Sequence, residues 1–348
     1  MFSVTKEQLE ATVDAAGRPF SGVVACRSGD ADPVVVSRGL AYRPFAVPNS
    51  ADTRFAVASG VKGFTAVAVL SLVDAGKLTL DTRVADVLSG VFPRFAPEVT
   101  VLHLLTHTSG IPDYCDEEDG CDFEALWVDR PVYRMRQASD FVPMFADLPM
   151  KFEPGERFGY NNSGFLVLGL IVEAVTSMPF ARYVEEQICR RAGLVDTGFF
   201  ESDALPDRVA TGYIEDSDGS IRSNIFAIPI VGGADGGIIT TAADVVRFWD
   251  GVFAGELAST ETVALLNETS VGPTGLGDLE YSLGFWRANR WRDEPVFVLM
   301  GEDPGVSFYS AYSPATRDAF VVLSNSDYGA YQVDHRLVEL FSATSSSQ

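Results

Sequence analysis

Ser59 and Lys62 stand three residues apart at the start of an apolar segment that runs over residues 63–70. Positions i and i+3 of a helix are neighbours, with about 5–6 Å between their Cβ atoms, so a lysine amine can reach a hydroxyl placed in this way. Burial lowers the pKa of a lysine toward the range in which its amine accepts a proton. The positive end of a helix dipole favours a developing alkoxide. The pair therefore predicts a serine nucleophile with a lysine that activates it.

Lysine is scarce in this chain, with four lysines, at positions 6, 62, 77 and 151, against twenty-two arginines. Because the chain uses arginine for most of its basic residues, a lysine at position 62 indicates that the site needs a cation that can lose its proton, which arginine cannot do. The plainer alternative is structural: Ser59 caps a helix and Lys62 extends its amine out of the first turn. The tetrapeptide alone leaves that alternative open.

Tyr160 and Asn162 lie in a loop rich in proline and glycine, just ahead of a helix predicted over residues 165–175. A phenol whose pKa is lowered by a neighbouring ammonium can act as a general base, and an asparagine amide can orient both a lysine and a substrate carbonyl. Taken alone, the tyrosine is typical of a packing residue and the asparagine of a helix cap. The two pairs together indicate catalysis more strongly than either pair does.

At these motifs the chain resembles the penicillin-recognising serine hydrolases, in the branch that holds class C β-lactamases, D-alanyl-D-alanine carboxypeptidases, D-aminopeptidases and related esterases. The S-x-x-K and Tyr-x-Asn elements match that branch. The resemblance covers nearly the whole chain. Five further segments match in order and spacing: residues 76–81, 104–113, 152–156, 193–199 and 236–244.

The resemblance implies acyl transfer through a covalent serine ester, without a metal or an organic cofactor. Ser59 would attack a carbonyl, Lys62 and Tyr160 would share the base role, and Asn162 would orient Lys62 and the substrate. The backbone amides of Ser59 and Glu302 would form the oxyanion hole. Water would then release the acyl group.

The third motif departs from the family pattern. Relatives carry Lys-Thr-Gly or His-x-Gly on a strand, where this chain has Leu299, Met300 and Gly301 as its candidate substrate-binding residues. No lysine follows Lys151, and His335 falls in the predicted terminal helix. In relatives the cation helps hold a substrate carboxylate, and one charge-assisted hydrogen bond is worth about 1.5–3 kcal/mol, or roughly 10- to 150-fold in binding.

This departure argues against a potent β-lactamase more than against hydrolysis. We therefore expect a weak or non-classical β-lactamase with esterase-type activity on an ester or an amide. A D-stereospecific peptidase, such as a D-alanyl-D-alanine carboxypeptidase, and a non-catalytic penicillin-binding-like protein are the alternatives. Arg290 and Arg292, in the turn before the motif strand, are candidates to replace the missing cation.

The sequence predicts an α/β protein of two lobes. Its 348 residues exceed the usual size of one domain, and a hydrophobic content of 47% is enough for a sizeable core. Helical periodicity dominates the middle, whereas β-rich runs with turn residues between them lie early and late. We assign residues 1–85 and 235–348 to an antiparallel sheet domain flanked by helices, and residues 86–234 to an inserted, mostly helical domain. The active site is expected in the cleft between them. The β-rich runs are residues 21–27, 33–38, 283–288, 295–299, 306–312 and 319–324.

The net charge of −22 argues against nucleic acid or an anionic membrane as a partner and leaves a small molecule or a short peptide as the expected substrate. No stretch approaches the ~20 apolar residues of a membrane span. Residues 1–8 lack the apolar core of a signal peptide, so the chain as given is expected to be cytoplasmic.

Four cysteines fall into two groups. Cys26 and Cys189 lie in apolar contexts and are expected to be buried free thiols. Cys115 and Cys121 flank an acidic loop, for which a solvated loop is the first expectation and a local disulfide the second. The ligand spacing of a zinc site or an EF-hand is missing.

Two other segments could suggest different chemistry. His107 invites a Ser-His-Asp interpretation, but the chain has no G-x-S-x-G, so we expect a structural role for it. Residues 215–219 are acidic and favour a hairpin turn over a metal site.

Trp286, Trp291 and Phe308 fall on or beside the late strands and are expected in the core or in the pocket wall.

Overall fold

The computed structural model of the protein describes residues 4–288 and 295–343. Within these ranges the strands are β1 (Gly22–Arg27), β2 (Val34–Arg38), β3 (Leu40–Tyr42), β4 (Val47–Pro48), β5 (Phe55–Ala56), β6 (Tyr213–Glu215), β7 (Ile221–Ser223), β8 (Ile239–Thr240), β9 (Glu280–Tyr281), β10 (Trp286–Ala288), β11 (Val296–Asp303), β12 (Val306–Tyr312) and β13 (Ala319–Ser324). The α-helices are α1 (Lys6–Asp14), α2 (Val61–Asp74), α3 (Val84–Val87), α4 (Val101–Leu105), α5 (Leu126–Asp129), α6 (Ala138–Phe141), α7 (Asn162–Thr176), α8 (Phe180–Val184), α9 (Ala242–Phe253), α10 (Thr260–Glu268) and α11 (Asp334–Ala343).

Seven strands form one antiparallel sheet in the order β2-β1-β13-β12-β11-β10-β9. The late strands β10 to β13 follow one another as a meander, as the sequence predicts, and β1 pairs with β13. Every residue of β12 and β13 is buried, because helices cover both faces of the sheet. Strands that are buried on both faces have continuous runs of apolar residues, whereas half-exposed strands alternate apolar and polar residues.

One face of the sheet packs against α1 and α11, through side chains such as Leu9, Val13 and Leu337. The other face belongs to the larger core, in which α2 and α9 lie between the sheet and the helical segment. Residues 61–70 of α2 are all buried. The helix contains several β-branched residues of modest helix propensity, so packing on all sides stabilises it more than its intrinsic preference does.

Helices α3 to α8 lie in the middle of the chain, and α7 is the central one. The side chain of Asn161 caps α7 by accepting a hydrogen bond from Gly164 N at 2.7 Å. Ser177 ends the helix with a left-handed φ of 56°. The antiparallel sheet with flanking helices and a helical insertion confirms the predicted fold class. The seven sheet strands all lie within residues 1–85 and 235–348, but the division into two domains stays a prediction.

Several predicted boundaries shift in the structure. Ser59 lies in a 3₁₀ turn, Ala58–Gly60, immediately before α2, and α7 begins at Asn162, three residues earlier than predicted. The acidic segment 215–219 connects β6 to β7, which confirms the predicted hairpin turn. In the described parts of the chain no single helix is long and apolar enough to cross a membrane; Asn162–Thr176 and Phe180–Cys189 reach that length only as a pair bent by 77°.

Candidate active site

The Lys62 amine lies at the centre of a buried hydrogen-bond network. Its Nζ is 2.8 Å from Ser59 Oγ, 2.8 Å from Asn162 Oδ1 and 2.7 Å from the carbonyl oxygen of Asp235. Only 2% of the lysine is exposed, so it does not extend into solvent. The N-cap residue of α2 is Gly60, without a side-chain cap. The geometry therefore contradicts the structural alternative for the S-x-x-K segment.

This network fits both protonation states of the lysine. An ammonium donates to all three oxygens, whereas a neutral amine donates to Asn162 and to Asp235 and accepts from the Ser59 hydroxyl. Burial lowers the pKa of Lys62, and nearby carboxylates, Asp235 foremost, oppose that shift. A proton can thus move between Ser59 and Lys62 without any rearrangement of heavy atoms.

The backbone before the nucleophile is held in an unusual conformation. Ala58 has a left-handed φ of 47°, which costs roughly 1–2 kcal/mol for a residue with a Cβ. Two backbone hydrogen bonds hold it in place: Gly237 N donates to Ala58 O at 3.1 Å, and Val57 N donates to Ile238 O at 3.1 Å. The position of Ser59 is therefore set before any substrate arrives.

Tyr160 is half-buried beside this network, with its ring centroid 5.0 Å from Lys62 Nζ. Its ring lies nearly parallel to that of Trp286, 6.2 Å away, and contacts the ring of His107 at 4.4 Å. Burial raises the pKa of Tyr160 well above its ordinary value, Glu117 raises it further, and a hydrogen bond with Ser59 opposes the shift. The expectation of a lowered phenol pKa is therefore wrong. The phenol keeps its proton at neutral pH, which suits a donor better than a base.

Asn162 is the first residue of α7, not its cap. Its backbone N donates to Asp113 Oδ2 at 2.6 Å, and Ser163 donates to Asp113 Oδ1 from both its N and its Oγ at 3.0 Å. A carboxylate at a helix N-terminus is favoured by the helix dipole. Burial nevertheless raises the pKa of Asp113 to about 6. Asp113 thus holds the start of α7, and with it the amide of Asn162, in register with Lys62.

Asp235 supports the site from the opposite side. Its backbone oxygen accepts from Lys62, and its Oδ2 accepts from the Tyr114 hydroxyl at 2.7 Å. Sequence reasoning missed Asp235 and Tyr114, and it assigned no role to Asp113. The only signal was that Asp113 lies in a family-like segment, because the contact between Lys62 and Asp235 spans 173 positions of the chain.

Gly301 brings the third-motif strand against the nucleophile. A Cβ at this position would lie 2.6 Å from Ser59 N and 2.3 Å from Val57 O, so a side chain would push β11 away from Ser59. Glu302 follows at the next position of β11. Its amide as the second oxyanion donor stays a prediction.

Leu299 was predicted to bind substrate, and the structure corrects that prediction. Met300 and Gly301 line the cavity beside Ser59, but Leu299 does not. It is 2% exposed and packs against Gly63 of α2, in the core. The side chain at this position of β11 points to the α2 face of the sheet, so it does not reach a substrate.

A cavity of about 1080 Å³ opens beside Ser59, Tyr160 and Asn162. Part of its wall is aromatic and includes Phe123, Phe141, Phe158, Phe200, Trp286 and Tyr331. Another part is acidic and consists of Glu117, Glu118, Glu124, Glu215, Asp235, Glu302, Asp303 and Asp327. Over residues 4–288 and 295–343, the lining contains no lysine, arginine or histidine.

Cys115 and Cys121 form a disulfide, which corrects the first expectation of a solvated loop with free thiols. Their Cα atoms are 5.4 Å apart, within the usual range for a disulfide. Both residues line the cavity. Disulfides are rare in cytosolic proteins, so this pairing bears against the expected cytoplasmic location. Cys26 and Cys189 are buried free thiols, as predicted.

His107 has the structural surroundings that the sequence predicts. It is 1% exposed, and its Nδ1 accepts from Asn161 N at 3.1 Å. Burial holds its pKa well below the ordinary value. Its ring packs against Tyr160, Phe165 and Tyr281. His107 therefore supports the Tyr160 ring and does not belong to a catalytic triad.

The aromatic residues near the third motif divide between wall and core. Trp286 lines the cavity, whereas Phe308 is 1% exposed and lies behind Gly60. Trp291, Arg290 and Arg292 lie outside the described residues.

Comparisons with known proteins show what this chain is similar to. A penicillin-binding protein from Bacillus halodurans superimposes with a TM-score of 0.89 and 41% identity, over 97% of this chain and 100% of that one. Penicillin-binding protein 4 of Amycolatopsis lactamdurans is 32% identical over 63% of this chain and 56% of its own length. Esterase EstB of Burkholderia gladioli is 34% identical over 53% of this chain and 48% of its own length. The chain thus spans about half the length of these last two relatives.

The family profile described as Beta-lactamase matches residues 8–343. This match extends over almost the whole chain and includes every residue of the network around Lys62. The resemblance stated from the motifs is thereby confirmed, and the chain belongs to the beta-lactamase family.

Proposed function

We propose that this protein is a serine hydrolase that cleaves an ester or an amide through an acyl-serine intermediate on Ser59. The observation that carries the proposal is the buried Lys62 amine, at 2.8 Å from both Ser59 Oγ and Asn162 Oδ1. A buried amine with a lowered pKa is a suitable proton acceptor for a serine hydroxyl.

Acylation begins when Ser59 Oγ attacks the substrate carbonyl and its proton passes to the neutral amine of Lys62. The new C–O bond places negative charge on the carbonyl oxygen, and we expect hydrogen bonds from the amides of Ser59 and Glu302 to stabilise that charge. The bond to the leaving group then breaks. Tyr160, which keeps its proton at neutral pH, donates it to the leaving group and recovers one from Lys62.

Deacylation repeats these steps with water as the nucleophile. The neutral amine of Lys62 removes a proton from the water as it attacks the ester carbonyl, and Lys62 returns that proton to Ser59 Oγ as the ester bond breaks. Asn162 keeps the amine oriented through both halves of the reaction, and Asp113 holds Asn162. Each half ends with Lys62 in its starting protonation state.

Esterase-type activity is better supported than efficient β-lactam hydrolysis. Penicillins and D-alanyl-D-alanine peptides carry a carboxylate, and the described lining of the cavity offers no lysine, arginine or histidine to hold it. Leu299 occupies the position of the family cation and is part of the core. One similar protein bears the name esterase. A non-catalytic penicillin-binding-like role is less well supported, since the complete network around Ser59 is retained.

Intact-mass spectrometry after treatment with a fluorophosphonate and with a fluorescent penicillin tests the nucleophile. We expect a single adduct on the wild type and none on Ser59→Ala. The matched control is Ser202→Ala, because Ser202 borders the same cavity, and this variant should still be labelled. Labelling that persists in Ser59→Ala contradicts the assignment, and turnover of p-nitrophenyl butyrate separates an enzyme from a protein that only forms an adduct.

A further inference from the structure

His107 holds the backbone on both sides of Tyr160. Gly159 N donates to His107 O at 2.8 Å, and Asn161 N donates to His107 Nδ1 at 3.1 Å. Between these two hydrogen bonds, the ring of Tyr160 packs against the imidazole, with 4.4 Å between the ring centroids. One residue therefore fixes the short segment that carries the phenol, although 54 positions separate His107 from Asn161.

The rest of the loop before Tyr160 is held by the same segment of the chain, residues 107–110. Gly155 N donates to Thr108 O at 2.8 Å, and Lys151 N donates to Gly110 O at 2.7 Å. These backbone contacts set the course of the loop. The first residue of the segment is the one that also contacts the phenol ring.

Two features of His107 are unfavourable on their own. Its φ of 56° is left-handed, a conformation in which a Cβ is crowded by the backbone. Its Nε2 is buried and has no hydrogen-bond partner within residues 4–288 and 295–343, and a buried polar group without a partner opposes folding. Strained conformations persist where the surrounding structure enforces them, and they cluster at functional sites. Both features therefore point to a role in the site.

The hydrogen bond from Asn161 fixes the tautomer of His107. Because Nδ1 accepts from Asn161 N, the proton of the neutral ring is on Nε2. A charged imidazole has a proton on both nitrogens, so it could not accept this bond. Burial and the charge of Lys62 hold the pKa of His107 well below its ordinary value, so the ring is neutral and keeps the contact.

We propose that His107 is a positioning residue, which fixes the Tyr160 hydroxyl for proton transfer to the leaving group through the hydrogen bonds that its Nδ1 and its carbonyl oxygen accept. In that step the Tyr160 proton moves to the leaving-group atom as the bond from this atom to the carbonyl carbon breaks, and Lys62 returns a proton to the phenolate. The proposal rests on the serine-hydrolase function proposed above and adds a residue to its proton-transfer step.

A direct role for His107 as a general base does not fit the geometry. Its Nδ1 is already occupied by Asn161 N. Its Nε2 is buried without a polar partner in the described parts of the chain, so no hydrogen bond connects it to Ser59 there. His107 therefore acts through Tyr160 and not on the substrate.

The test compares His107→Leu with His107→Asn on p-nitrophenyl butyrate and on butyryl p-nitroanilide. Leucine offers no acceptor, whereas asparagine places Oδ1 where Nδ1 was and tolerates a left-handed φ. Misplacement of a reacting group by about 1 Å can cost roughly 10²-fold. We expect His107→Leu to lower kcat on the anilide by about that factor, with little change in KM, and to lower it less on the ester, whose leaving group needs less protonation.

His107→Asn should recover most of this loss. Equal losses in the leucine and asparagine variants contradict the proposal, as does an equal loss on the two substrates. The matched control is His103→Leu, because His103 Nδ1 also accepts from a backbone amide, Thr100 N at 3.2 Å, and His103 does not line the cavity. This variant should leave the ratio of the two activities unchanged.

A double substitution separates an effect on Tyr160 from a general loss of stability. If His107 acts through the phenol, His107→Leu should lower kcat on the anilide much less in a Tyr160→Phe background than in the wild type. A loss of the same factor in both backgrounds overturns the proposal.

A further measurement uses the wild type alone and does not depend on how the variants fold. The chain has three histidines, so nitrogen NMR of histidine-labelled protein can resolve each ring. His107 should be neutral near pH 7, with its proton on Nε2 and with Nδ1 coupled to the amide of Asn161. A proton on Nδ1 overturns the proposal.

Failure of this proposal is distinguishable from failure of the hydrolase function. If Ser59 is labelled and both substrates are hydrolysed, but His107→Leu retains near-full turnover, only the role of His107 is wrong. If the wild type hydrolyses neither substrate and Ser59 is not labelled, the hydrolase function is wrong, and the role of His107 in it is wrong as well.

Discussion

The surroundings of Lys62 and the acidic rim formed by Glu117 and Asp303 differ in how far their polar groups are paired by hydrogen bonds. Around Lys62 the polar groups are closely paired: the amine meets three oxygens, and Asp113 accepts three hydrogen bonds. At the rim, Asp303 has no hydrogen-bond partner in the described residues, and Glu117 accepts one weak hydrogen bond from Asn162. The first region is paired within the protein, whereas the second keeps carboxylate oxygens without a partner in the described residues.

The difference separates the chemistry from the selection of substrates. Buried and fully paired groups hold one geometry, because an unpaired buried group costs about 1–3 kcal/mol. Partly exposed, unpaired carboxylates do little to fix the position of a ligand, but they strongly favour a ligand that carries positive charge. Changes around Lys62 should therefore reduce turnover of every substrate, and changes at the rim should alter which substrate is preferred.

Lys62→Arg should produce the largest effect. Arginine keeps the charge but cannot release a proton near neutral pH, so kcat should fall by about 10²–10⁴-fold on cationic and neutral substrates alike. Wild-type kcat/KM should rise with pH as Lys62 loses its proton, and the variant should lose that rise. Lys77→Arg is the matched control, since Lys77 is exposed. Near-full turnover in Lys62→Arg would limit the lysine to an electrostatic role.

Tyr160→Phe tests the other member of the proton-transfer pair. It removes the hydroxyl and keeps the ring that stacks on Trp286, so the fold should be retained. We expect a loss of the same order, about 10²–10⁴-fold, that is smaller for p-nitrophenyl esters than for anilides, because a good leaving group needs less protonation. An equal loss on both substrates would contradict the assignment of Tyr160 as the donor to the leaving group.

The same two regions show what the sequence can predict. Ser59 and Lys62 are close because helix geometry brings i and i+3 together, and the strands of the meander follow from β-rich runs between turns. The partners of Lys62 across the fold, Asn162 and Asp235, are 100 and 173 positions away. Asn162 was found through the family motif, whereas Asp235 contributes a backbone oxygen, which no side-chain pattern indicates.

Other errors have a similar physical origin. The sequence predicts that Leu299 contacts the substrate, because a strand pattern does not show which face of β11 packs against α2. The lowered pKa expected for Tyr160 ignored the burial that its neighbours Trp286 and His107 impose. The spacing of Cys115 and Cys121 is compatible with a disulfide or with two thiols, and only the turn between them decides.

Asp113→Asn should produce a smaller effect than either Lys62→Arg or Tyr160→Phe, and it links the paired network to stability. The folded pKa of Asp113, about 6, is above its unfolded value near 3.8, so the folded protein holds this proton more tightly. The stability that this contributes is fully present below pH 4 and is lost as pH rises to about 6. The difference between these two pKa values corresponds to roughly 3 kcal/mol.

The measurement is the free energy of unfolding of the wild type minus that of Asp113→Asn, from denaturant titrations between pH 4 and pH 7. This difference should decrease with pH over that window, and kcat should fall because Asn162 loses its anchor. Asp147→Asn, on the surface, is the control for the loss of one charge. A difference independent of pH would show that Asp113 titrates below the window.

Opening the disulfide should produce the smallest effect and should act on the rim alone. Cys115 and Cys121 close a loop of seven residues, for which loop-closure entropy predicts a stabilisation of about 2 kcal/mol. Glu117 lies within that loop and lines the acidic cavity, so Cys115→Ala with Cys121→Ala should lower the free energy of unfolding and should also weaken any discrimination between cationic and neutral substrates.

Treatment of the wild type with a reductant provides the matching measurement, because it opens the same loop without a substitution. The reductant should reproduce the changed preference in the wild type and have no further effect on the double variant. Cys26 and Cys189 are buried free thiols, so they do not contribute to this response. Turnover of p-nitrophenyl butyrate should change much less than turnover of a cationic ester, because the hydrogen bonds of Lys62 involve no residue of the loop. Equal losses on both substrates would mean that the loop supports the network around Lys62 as well as the rim, and the separation of chemistry from selection would then fail.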